Sequence, residues 1–103
     1  MDDYIKCNVG DTLQINAYVN VGENINPDKV IFACKALDIE QELTHSINEN
    51  GESMWTHTFS ANDTATWNSG IYKVTFFVHI QNIVQSRFYY LYLYPNTNLT
   101  RQL

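Results

Sequence analysis

IYKVTFFVHI (Ile71–Ile80) and IVQSRFYYLYLY (Ile83–Tyr94) stand back to back near the C-terminus, split only by Gln81-Asn82. A half-buried strand alternates apolar and polar side chains. These two carry apolar or aromatic residues on both faces for much of their length. One face is expected to fill the domain's own core, which leaves the other to be explained. In the first strand Tyr72, Val74, Phe76, Val78 and Ile80 form the more apolar set and are expected inward, opposite Lys73, Thr75, Phe77 and His79. In the second, Phe88, Tyr90, Tyr92 and Tyr94 share one side and Tyr89, Leu91 and Leu93 the other. We expect Tyr89, Leu91 and Leu93 inward, and Tyr90, Tyr92 and Tyr94 outward beside Phe77 and His79.

Upstream, the chain reads as more strands and turns. Cys7 to Asp11 reads as a turn. Thr12 to Val19 alternates, with Leu13, Ile15, Ala17 and Val19 on one face. Asn20 to Asp28 is a loop, and Lys29 to Leu37 a strand burying Val30, Phe32, Cys34 and Ala36. Ile39 to Ile47 reads as an edge strand centred on Glu42 to Ser46, or as a short helix over Asp38 to Leu43, which has good helix formers. Asn50-Gly51 is the usual type I′ pair. Met54 to Ser60 is a strand with Trp55, His57 and Phe59 on one face. Ser60 to Gly70 is too polar for a core strand and suits one helical turn capped by Asn62 or Asp63. Pro95 ends the last strand, because proline cannot continue a central ladder. Six or seven strands at short spacing with turn signals between them imply an all-β antiparallel sandwich or barrel.

Length and charge limit the function classes. A chain of 103 residues suits one domain over 1–103, with 95–103 as a C-terminal tail, and buries roughly 65% of its unfolded surface. Net charge is −5 and the six basic residues are scattered. No basic stripe exists to neutralise phosphates, so no nucleic-acid partner is expected. No apolar run approaches the length of a membrane helix, so no membrane partner is expected either. Met1-Asp2-Asp3-Tyr4 has no apolar segment of a secretory signal, which favours synthesis in the cytoplasm. Cys7 and Cys34 are then expected as free thiols, Cys34 acting as a small buried hydrophobe.

The residues offer little chemistry. His45, His57 and His79 fall on three different strands without ligand spacing, so no metal is expected. Asp38, Glu40 and Glu42 read as a solvated edge. No glycine loop cradles a phosphate. We expect no enzymatic activity and no cofactor. The outward tyrosines with Phe77 are the richer signal, since tyrosine suits a surface that a partner half buries. Cross-strand stabilisation of the sheet explains the same residues, and so would a sugar-stacking platform.

Two further stretches lie in a familiar order: Val9-Gly10-Asp11-Thr12-Leu13, and Phe59-Ser60-Ala61-Asn62-Asp63-Thr64-Ala65 leading through Gly70-Ile71-Tyr72-Lys73-Val74. Together they resemble small immunoglobulin-like domains of bacteriophage particles, with a "GDT" start, an "lsxxDT" connection and a "GxYxxxV/F" strand before a final hairpin strand. Gly70 and Tyr72 resemble the tyrosine corner of such sandwiches. Val74 stands where a secreted immunoglobulin domain has its second disulfide cysteine, which fits a reduced protein. The resemblance implies an antiparallel immunoglobulin-like β-sandwich of about seven strands. It also implies a non-enzymatic virion structural protein, made in the host cytoplasm, that docks on and bridges capsid subunits as an auxiliary or decoration protein. Its partners would be other virion proteins, most simply the major capsid protein, with self-association on the particle allowed. The alternatives are a tail or fibre accessory domain and a carbohydrate-binding module. The contact residues expected are Phe77, Tyr90, Tyr92 and Tyr94, with Leu99 and Leu103 of the tail.

Overall fold

The computed structural model describes residues 4–19 and 26–95. Eight strands run in order: β1 (Tyr4–Asn8), β2 (Leu13–Ala17), β3 (Lys29–Cys34), β4 (Ile39–Glu42), β5 (Thr44–Ile47), β6 (Ser53–Phe59), β7 (Gly70–Ile80) and β8 (Ile83–Tyr94), with one short helix, α1 (Ala61–Thr64), between β6 and β7. They form a five-stranded sheet in the order β1-β8-β7-β3-β4 and a three-stranded sheet in the order β2-β6-β5. Among the described residues only β1 pairs parallel, with β8; the other pairs are antiparallel. The protein is all-β, as its alternation and turn spacing imply.

One core lies between the sheets. Val30, Phe32, Cys34, Val74 and Leu91 from the larger sheet are fully buried, and Leu13, Ile15, Trp55 and Phe59 meet them from the smaller. Aromatic rings join the layers. Phe32 lies 5.3 Å from Phe76 and 5.8 Å from Phe59, which in turn lies 5.3 Å edge-on from Trp67. The inward sets expected for β2, β7 and β8 face this core, with Tyr72, Val78 and Tyr89 at its margin, except that Ile80 at the hairpin tip does not join it. Emptying the Phe32 position would cost about 3–5 kcal/mol, because so closely packed a site collapses only in part.

Several local expectations change. Cys7 and Asn8 belong to β1, and the turn after it is shorter: Asp11 N–H donates to Asn8 C=O at 3.0 Å. The second predicted strand ends at Cys34, not Leu37. A 3₁₀ turn over Lys35–Leu37 follows, leaving Ala36 exposed, and Asp38 closes it in the left-handed region at φ 57°. The single edge strand over Ile39 to Ile47 is two strands in different sheets, and Asp38 to Leu43 is not helical. Leu43 makes the crossing: it is buried, and its N–H donates to Val30 C=O at 2.8 Å. Asn50-Gly51 is not a type I′ turn, because Gly51 has a positive φ of 81° and Asn50 does not. The loop has three residues. Gly51 N–H donates to Asn48 C=O and Asn48 N–H to Glu52 C=O, both at 3.0 Å, which is the pattern of a type I turn closed by a left-handed glycine. Finally, Ser60 caps α1, not Asn62 or Asp63. Its hydroxyl accepts from Asp63 N–H at 3.1 Å, while the Asp63 carboxylate accepts from Ser60 N–H at 2.9 Å, a reciprocal capping box.

Two devices hold the long hairpin. At its base, Tyr72 hydroxyl donates to Asn68 C=O at 2.7 Å. Gly70 sits under that ring: a Cβ there would lie 3.4 Å from the Tyr72 hydroxyl, and its φ of 153° suits glycine. At its tip, Gln81 has a φ of 54°. Its N–H donates to the Asp28 carboxylate at 2.8 Å, and Asp28 N–H donates to His79 C=O at 2.7 Å. Gln81 and Asn82 thus turn the chain while tied to the start of β3.

Candidate binding surface

The outer face of the five-stranded sheet carries the outward side chains. Strand register orders them in rows. Lys6, Tyr92 and Ile71 lie side by side on β1, β8 and β7, and so do Tyr4, Tyr90 and Lys73. Phe88 lies beside Thr75, and Ser86 beside Phe77, which neighbours Ile31 on β3. Exposure is high for large apolar groups: Ile71 65%, Phe88 53%, Tyr90 51%, Tyr94 42% and Tyr4 38%. Rows of exposed aromatic residues on one sheet face are unusual for a surface that only water covers.

The predicted contact residues divide. Tyr90 and Tyr94 stand exposed on this face, as expected. Tyr92 is half-buried, because Tyr4 packs against it with ring centres 5.4 Å apart. Phe77 is also half-buried and does not stand beside the tyrosines. The hairpin pairs Phe77 with Ser86 and His79 with Val84, so both lie toward the tip, while Tyr90 and Tyr92 have Lys73 and Ile71 as neighbours. A two-residue turn at Gln81-Asn82 fixes that register. Leu99 and Leu103 lie outside the described residues.

Tyr4, Ile71 and Phe88 were not among the predicted contacts, yet they complete the patch. Phe88 could have been included from its parity with Tyr90. Tyr4 could not, because β1 joins the sheet through residues 4–8 and 90–94, far apart in the chain. Lysines sit against the rings: the Lys73 ammonium is 4.0 Å from the centre of Phe88 and the Lys6 ammonium 5.1 Å from that of Tyr4, within cation–π range. Among the described residues this aromatic end of the face carries Lys6 and Lys73 and no acid, although the chain as a whole is acidic. Glu40 and Glu42 lie on β4 at the opposite edge, exposed as predicted.

The other polar candidates do not converge into a reactive centre. His45 packs on Trp55, with ring centres 4.7 Å apart, and His57 edge-on against Phe59 at 4.6 Å. Among the described residues no three metal-ligating side chains come together. Cys7 and Cys34 are free and buried. Burial pushes both thiols up. The Asp11 charge adds to the rise at Cys7, and backbone hydrogen bonds from Leu37 and Ala36 partly offset it at Cys34. A thiol held protonated is a poor nucleophile.

The two stretches that carry the phage-domain resemblance meet in space. Thr64, fully buried at the end of α1, accepts from Gly10 N–H at 3.0 Å and donates to Asp11 C=O at 2.7 Å. One hydroxyl therefore ties the connection before β7 to the turn before β2.

No protein-family model and no curated protein matches the chain. Among solved structures it is similar to the endo-β-1,4-mannanase from Thermotoga petrophila, with a TM-score of 0.65 and 14% identity over 93% of this chain and 18% of that one. The chain thus spans about a fifth of that protein's length. At such low identity the likeness concerns the fold alone.

Proposed function

We propose that this chain is an immunoglobulin-like β-sandwich that serves as a non-enzymatic structural protein of a bacteriophage particle, docking on the capsid as an auxiliary or decoration protein. The observation that carries the docking reading is the outer face of the larger sheet, where Tyr4, Phe88, Tyr90, Tyr94 and Ile71 stand exposed together. The immunoglobulin-like reading is supported by the sheet order, by the Tyr72 hydroxyl bonded back to Asn68, and by Thr64 joining the two resembling stretches. Lys6 and Lys73 beside the rings favour a partner surface with carboxylates near its apolar contacts. Weak contacts of this kind add up across a lattice only where copies are linked to one another, so that later contacts become intramolecular.

The test is co-purification with assembled particles. The protein should sediment with them at stoichiometric copy number. Tyr90→Ala combined with Tyr94→Ala should release it without lowering its melting temperature, because both side chains are exposed. A protein found wholly in the soluble fraction of particle-containing lysate would end this reading.

A further inference from the structure

Among the described residues the larger sheet has an open edge in its middle. β1 covers β8 only at Tyr90–Tyr94. Among the described residues nothing pairs with Ile83–Tyr89 on that side, and Ile83 to Phe88 are exposed. The direction of the free groups follows from two observations. Val9 N–H donates to Tyr94 C=O at 2.9 Å, so Tyr94 turns its carbonyl toward the β1 side. The β7–β8 register then runs without a bulge from Gly70–Leu93 to Ile80–Ile83. Strand alternation therefore points the N–H and C=O of Val84, Ser86 and Phe88 out at the open edge. The opposite edge of this sheet is blunted: β4 is short and carries Glu40 and Glu42. The Ile83–Tyr89 segment has no proline, lysine or bulge, and such an edge is a template for another strand.

We propose that the occupant is a second copy of this chain, its β8 pairing antiparallel with the first about a two-fold axis at Ser86. The segment is complementary to itself in that register. Val84 falls opposite Phe88 of the other copy, and Ile83 opposite Tyr89, both pairings of the β-branched and aromatic kind that stabilise sheets. Gln85 falls opposite Arg87, the segment's one charge, so no like charges face each other. Arg87 also borders an open groove of about 650 Å³, lined with Gln14, Asn16 and Tyr18. The pairing fills the edge as far as Tyr89 and leaves β1 in place at Tyr90. It joins two larger sheets into one and extends the aromatic face across the axis. This assigns residues and a register to the self-association that the phage-domain resemblance merely allows, and it does not depend on the virion role.

The experiment is sedimentation of the full chain from about 10 µM to about 1 mM. The mass should rise from the 11.9 kDa protomer toward twice that value. Ser86→Pro removes an edge-facing N–H while leaving the β7 ladder intact, and should weaken the dimer by about ten- to a hundredfold through loss of the paired bonds on the axis. Ser86→Cys should oxidise to a covalent dimer, whereas Gln85→Cys, opposite Arg87, should not. A protein monomeric throughout that range overturns the proposal. So does a dimer that survives Ser86→Pro, or one that Gln85→Cys links as fast as Ser86→Cys. Should Ser86→Pro fail to fold, the two cysteine variants decide.

Discussion

Replacing Thr64 by valine keeps the shape of the side chain and deletes its hydroxyl. The hydroxyl accepts from Gly10 N–H at 3.0 Å and donates to Asp11 C=O at 2.7 Å, and the Thr64 side chain is fully buried. Gly10 N–H would lose its partner, and Asp11 C=O would keep only the weak Cys7 thiol contact at 3.8 Å. A buried polar group left unsatisfied costs about 1–3 kcal/mol. Gly10 and Asp11 are only half-buried, so water recovers part of that loss. The expected net cost is about 2 kcal/mol, a fall in melting temperature of roughly 8–16 °C for a domain of this size. Thr64→Ser keeps the hydroxyl, loses one methyl group, and should cost only about 0.5–1.5 kcal/mol. Urea unfolding followed by tryptophan fluorescence measures both, since Trp67 and Trp55 are buried. Should Thr64→Val stay within about 0.5 kcal/mol of wild type, the hydroxyl would not be the tie described here.

Three other outcomes are expected. Tyr72→Phe removes the bond to Asn68 at the base of the hairpin and should cost about 0.5–1.5 kcal/mol by denaturant unfolding, with the slope unchanged. Ser60→Ala opens the capping box of α1 and should cost about 1 kcal/mol on the same measure. The raised thiols predict a pH dependence: above the unfolded-state cysteine pKa the unfolded chain loses its thiol protons while the folded one keeps them, so stability is full below that pKa and declines as pH rises toward the folded values. A thiol reagent at about pH 8 should accordingly modify Cys7 and Cys34 only as the protein unfolds, and rapid labelling of the native protein would contradict the burial argument.

Local pattern announced the long hairpin and its inward faces. Gln81-Asn82 marked the turn, and parity separated Leu91 and Leu93 from Tyr90 and Tyr94. The same turn also determined that Phe77 would sit beside Ser86, so its distance from the tyrosines was within reach of sequence reasoning. The switch at Leu43 was not. An apolar residue among polar neighbours reads equally as one more inward position of a single strand, and only the packing of two sheets decides that the chain crosses there. β1 is a similar case, since five residues with two charged or polar members carry little pattern of their own and gain their place from β8. The Asn50-Gly51 pair misled because loop length, set by Asn48 bonding to Glu52, governs turn type more than the dipeptide does.

The parallel pairing of β1 with β8 has a consequence for how the chain acquires its structure. β1 precedes every other described strand, yet among the described residues its partner within the larger sheet is Tyr90–Tyr94, at the end of the last strand. The sheet order also places β8 between β1 and β7, so neither β1 nor the aromatic face can assemble before β8 has been made. Closing so long a loop is entropically slow and makes folding a late event with high contact order. Until then Tyr4 and Ile5 have no strand to pair with, and a ribosome stalled before residue 90 would hold a chain that cannot complete the larger sheet.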